Sequence, residues 1–123
     1  MATILLLGLE NDLASDLARV LRKTGHDIET AGSLEAAMRN RNADVIFAGG
    51  DAPDYRETVR QLAERRPDAP VVLVNRLPEN MRWLDALELG AADYCGAPFE
   101  VTQVRWIVDS VLRRSAAPAA VAA

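Results

Sequence analysis

Two spacings of apolar residues alternate along the chain. Apolar runs fall within residues 3–7, 44–48 and 70–74, with shorter strand candidates at 27–30 and 92–95. Runs of that length suit strands buried on both faces of a sheet. Between them the apolar positions recur every three or four residues. Leu13, Leu17, Val20 and Leu21 share one side of a helix over residues 11–24, while Asp16, Arg19, Arg22 and Lys23 point elsewhere and Gly25 supplies the stop. Ser33 is placed to cap a short second helix with Leu34, Ala37 and Met38 inward, and Pro53 opens a third that buries Val59, Leu62 and Ala63. Residues 79–89 and 99–114 supply the last two. Asp12 and Asp54 read as acids at helix N-termini, where the helix dipole favours negative charge.

Five strands alternating with five helices imply a parallel sheet covered on both faces by right-handed crossovers. The expected architecture is an α/β, doubly wound, five-stranded flavodoxin-like sheet with strand order 2-1-3-4-5. A chain of 123 residues, half of them hydrophobic, fits one domain with its own core. That domain spans residues 1–114. Residues 115–123, rich in Ala with one Pro and free of charge, read as a tail or the start of a linker.

Charge and composition then exclude several chemistries. Fourteen Lys and Arg against 18 Asp and Glu leave a net charge of -4, which gives little general attraction to nucleic acid or to anionic membrane. His26 is the only histidine and Cys95 the only cysteine, so neither an internal disulfide, a Cys/His zinc site nor a catalytic triad is expected. The apolar start lacks a positive n-region and is too short to span a bilayer; it reads as a buried strand, and a cytoplasmic location is expected.

Ala86-Leu87-Glu88-Leu89-Gly90-Ala91-Ala92-Asp93-Tyr94, followed by Pro98-Phe99, resembles the fourth helix, fifth strand and following turn of the receiver domains of bacterial two-component response regulators. Ile4-Leu5-Leu6-Leu7, Gly25-His26, Asp44-Val45-Ile46-Phe47 and Pro70-Val71-Val72-Leu73 add to the likeness, which covers about residues 3 to 114. Such a domain implies two acids after strand 1 to hold Mg²⁺, an aspartate ending strand 3 to accept phosphate, a hydroxyl after strand 4 and a lysine before a cis proline. Each has a job: oxygen ligands for a hard cation, a carboxylate nucleophile, and donors for the phosphoryl oxygens. In register with that pattern stand Gly8 and Leu9, Gly49, Asn75 and Ala97, so all five groups are replaced. The resemblance therefore implies a degenerate, aspartate-less pseudo-receiver that needs no metal and no cofactor and is not an enzyme.

Glu10 and Asp51 are the candidate substitute carboxylates. Asp51, two residues beyond Gly49, faces the same way in an extended segment; the Gly49-Gly50 pair and the lack of a nearby lysine argue against chemistry there. The resemblance makes Pro98 the cis proline and Tyr94 the switch aromatic, here expected in a fixed rotamer. Cys95 reads as an inert buried thiol. On the last helix Val101, Val104, Val108, Val111 and Leu112 cluster, whereas Trp106 lies about 200° from Val104 and is expected to be exposed. With Met81 and Leu89, Trp106 is the candidate interface, because the fourth helix, fifth strand and fifth helix form the family's usual dimerisation face. Trp83, Ala86, Leu87 and Gly90 are expected to face the core. The function implied is a phosphorylation-independent protein-interaction and dimerisation module in two-component signalling. Its partners are a second copy and other proteins, including a fused or separate output domain; nucleic acid and membrane are not among this domain's partners. Two alternatives stand beside it: a phosphoacceptor or metal-binding receiver using Asp51 with Glu10, and a small-ligand sensor in the vacated crevice.

Overall fold

The computed structural model describes residues 2–51, 54–76 and 87–116. Its elements are β1 (Thr3–Leu7), α1 (Asn11–Lys23), β2 (Asp27–Ala31), α2 (Leu34–Arg39), β3 (Val45–Gly49), α3 (Tyr55–Arg65), β4 (Val71–Asn75), β5 (Asp93–Gly96) and a C-terminal helix (Val101–Ala116). All five strands are parallel in the order 2-1-3-4-5. The doubly wound sheet read from the alternating periodicities is the one observed, with strand ends displaced by a residue. Asp44, for example, stands before β3, and its carboxylate accepts the Thr3 N–H at 2.8 Å. Ser33 caps α2, accepting the Ala36 N–H at 3.1 Å.

Successive side chains on each strand enter opposite layers, because Cβ direction alternates along a strand. Ile4, Leu6, Val45, Phe47, Val72 and Val74 meet Leu13, Leu17 and Leu21 of α1 and Val104, Val108 and Val111 of the C-terminal helix. Ile107, absent from the predicted apolar face, joins this layer. Leu5, Leu7, Ile46, Ala48 and Leu73 meet Ala37, Val59 and Leu62 on the other side. Phe47 is fully buried at the centre, and its truncation to Ala removes about 3–5 kcal/mol.

One charged residue belongs to this frame. Arg66, just past α3 and only 2% exposed, donates to the carbonyls of Ala37 at 2.9 Å and Asn40 at 2.7 Å and to the Asp68 carboxylate at 3.0 and 3.1 Å. Its planar fork adds hydrogen bonds to carbonyls where α2 ends. The guanidinium in turn holds the Asp68 carboxyl below its ordinary value.

Most of the predicted fourth helix, with Met81, Trp83 and Ala86, lies outside the described residues, as does Pro53. At its end the expected faces are reversed: Leu87 is 38% exposed, while Leu89 packs partly against the α3-side core. Helical spacing fails there because residues 89–90 already form a turn and Gly90 has φ 109°. The turn lies against α3, where a Cβ on Gly90 would come within 2.7 Å of Ala63 Cβ. Among the described residues, no helix is long and apolar enough to cross a membrane.

Candidate functional site: the carboxyl ends of β1, β3 and β4

The three central strands end side by side in Gly8, Gly49 and Asn75. Gly8 follows β1 with φ 70°, a conformation that turns its carbonyl toward β3. A Cβ added to Gly49 would stand 2.3 Å from that carbonyl oxygen, and one on Gly50 would stand 2.3 Å from Asn75 Oδ1. Here the glycines are a packing requirement: backbone and amide fill the space in which side chains at 49 and 50 would begin. Leu9, the other position in register with an acidic pair, packs partly on the core.

Asp51 and Glu10 do approach this mouth, and both are engaged. Asp51 Oδ1 accepts from Asn75 Nδ2 at 3.1 Å and its Oδ2 from the Arg76 backbone N–H at 2.9 Å. The Arg76 guanidinium reaches Glu10 Oε2 at 2.8 Å, with the two side chains 47% and 71% exposed. The structure corrects the sequence reading here in two respects. Asp51 is not poorly positioned after its two glycines, because the end of β4 holds it; and a cation stands at the mouth, supplied by Arg76 rather than by a lysine beside the proline. Arg76 was missed, although its place one residue beyond the end of a central strand points to the mouth.

The side chains leave little open space. A cleft of about 160 Å³ is lined by Gly8, Leu9, Glu10, Leu13, Gly49 and Asp51, and one of about 180 Å³ opens toward Ser33 and Thr58. Both are smaller than the several hundred Å³ that enclose an organic ligand. Among the described residues no group of three or more His, Cys, Asp or Glu is assembled for a metal ion. Asn75 is fully buried, and its Oδ1 has no hydrogen-bond partner among the described residues.

Beside the mouth, Ala97 N donates to the Asn75 carbonyl at 3.0 Å, and the Ala97–Pro98 peptide is cis. Tyr94 on β5 is half-buried against the α3-side core, its hydroxyl oxygen shielded from water. Burial, with a smaller contribution from the nearby Asp93 carboxylate, pushes the Cys95 thiol up to about 12, so it remains protonated at neutral pH. Trp106 projects from the C-terminal helix with 61% of its surface exposed.

No family model matches the chain. The chain is 30% identical over 120 residues to the sensory transduction protein RegX3 of Mycolicibacterium smegmatis, an alignment covering 94% of this chain and 53% of that protein. It is 31% identical over 117 residues to the alkaline phosphatase synthesis transcriptional regulatory protein PhoP of Bacillus subtilis, covering 91% of this chain and 49% of that one. The chain thus spans about half the length of the curated relatives it matches. Among solved structures, a response regulator from Thermotoga maritima superimposes with a TM-score of 0.80 at 18% identity, covering 91% of this chain and 98% of that chain.

Proposed function

We propose that this chain, a two-component response-regulator receiver domain by its fold and its relatives, acts as a phosphorylation-independent protein-interaction module and catalyses no reaction. One observation carries the reading: Gly49 stands at the acceptor position, with the Gly8 carbonyl where the first carbon of an acceptor side chain would lie. A carboxylate nucleophile cannot be restored there by a rotamer change. Asp51, the nearest substitute, has its two oxygens on Asn75 and Arg76, which lowers its availability for attack on a phosphodonor. The narrow clefts weigh against a small-ligand sensor.

Its partners are proteins. Relatives about twice as long are named as transcriptional regulators, so an output module, fused or separate, is the partner we assign, in the cytoplasm and without nucleic-acid or membrane binding by this domain. Trp106, exposed on the C-terminal helix, anchors a homodimer through that helix and β5. Large exposed aromatics are the side chains most enriched among interface anchors.

Two measurements test this. Incubation with acetyl phosphate or beryllofluoride and Mg²⁺, followed by intact mass and NMR, leaves the protein unmodified; a stoichiometric adduct abolished by Asp51→Asn would establish the displaced-carboxylate alternative instead. In sedimentation velocity the wild type is a dimer and Trp106→Ser a monomer. A monomeric wild type rejects the interface.

A further inference from the structure

The mouth of the sheet presents two donors that converge on one point. The Asn75 side-chain amide and the Arg76 backbone N–H both leave the end of β4 and reach the same carboxylate, at 3.1 and 2.9 Å. Neighbouring N–H donors of this kind recognise an anion. The anion they hold is part of the chain: Asp51, just after β3 and 24 residues from Asn75 in sequence. The Arg76 side chain continues the line to Glu10 after β1, so the ends of three adjacent strands are joined through four residues.

We infer that Asp51 is a built-in anionic tether, filling the two β4 donors that would otherwise be free to take an external oxyanion and so fixing the end of β3 to the end of β4. The inference rests on the phosphorylation-independent reading and deepens it: the mouth is occupied from within as well as stripped of its acceptor. Three features support it. Asn75 is fully buried, and its side-chain amide donates to Asp51. The bond to Arg76 comes from the backbone and therefore holds the strand end itself. The Gly49–Gly50 pair, packed against Gly8 and Asn75, sets the path by which the chain delivers the carboxylate.

The test is the hydrogen bond itself, read in the intact domain. In the wild type, NMR gives a through-hydrogen-bond coupling between the Arg76 amide nitrogen and Asp51 Cγ, and the Arg76 amide exchanges slowly. Asp51→Ala accelerates that exchange about tenfold or more, as loss of a hydrogen bond to a charged group does, whereas Asp51→Asn, which keeps an acceptor, retains much of the protection. Inorganic phosphate titrated into Asp51→Ala shifts the Asn75 side-chain and Arg76 amide signals saturably and leaves the wild type unchanged. Absence of the coupling, or equal Arg76 exchange in wild type and Asp51→Ala, overturns the tether; saturable phosphate shifts at these donors in the wild type do so too. If Asp51→Ala does not fold, the wild-type coupling and the Asp51→Asn exchange decide. An acetyl phosphate adduct on the wild type would instead refute the proposed function, and leaves the coupling measurement free to stand or fall separately.

Discussion

Two arginines, Arg66 and Arg76, stand at opposite ends of the sheet and do different kinds of work. Arg66 is buried, with its donors on backbone carbonyls at the end of α2 and on Asp68. Arg76 is half-exposed, and its guanidinium bridges to the exposed carboxylate of Glu10. Both are strand-end or helix-end cations with an acidic partner, yet only the first is part of the frame. Burial makes the difference: Arg66 is 2% exposed and its removal empties a space in the frame, whereas Glu10 without Arg76 would simply be hydrated. At the Arg66 end the side chain holds the backbone together; at the mouth, backbone groups hold a side chain.

Arg66→Ala should therefore have the largest effect, a loss of about 2–3 kcal/mol in urea unfolding from the lost hydrogen bonds, with Arg66→Lys little better because an ammonium cannot reproduce the planar fork. A loss below about 1 kcal/mol would erase the contrast between the two ends. At the mouth, the packing of Gly8 against Gly49 makes Gly49→Ala cost about 1–3 kcal/mol. Gly49→Asp should be at least as unstable and should gain no phosphate from acetyl phosphate by intact mass, since a new side chain must displace the Gly8 carbonyl before it can react.

A smaller effect is set by pH. Asp68 is held below its ordinary value of 3.8, first by its hydrogen bond to Arg66. A depressed carboxyl stabilises the fold above its unfolded value, and that contribution fades as the pH falls through the folded one. Asp68→Asn should thus shrink the drop in urea midpoint between about pH 6 and about pH 2, while Asp68 remains largely solvated and its share stays modest. Smallest of all is the exposed pair: Glu10→Gln or Arg76→Gln should change stability by less than about 1 kcal/mol, and by less still at high salt. An effect as large as that of Arg66→Ala would place both arginines in the same class.

Periodicity was enough to locate the strands and the inward face of α1 and to leave Trp106 in solvent, although on the C-terminal helix it missed Ile107. It failed at Leu87 and Leu89, where the helix unwinds into a turn against α3 and the spacing no longer reports a face. Arg66 was illegible for a different reason. It follows Arg65 and precedes Pro67 like any surface charge, and nothing local announces that carbonyls near residues 37–43 require it.

By itself, then, the sequence determined the fold and which residues end the central strands, because burial patterns and residue identities are local properties of the chain. Only the tertiary structure decided which side chains meet at the mouth. Asp51 meets Asn75 across 24 residues and Glu10 meets Arg76 across 66, and such partners are brought together by strand register and by the close approach of Gly8 to Gly49. Neither leaves a trace in the spacing of hydrophobic residues.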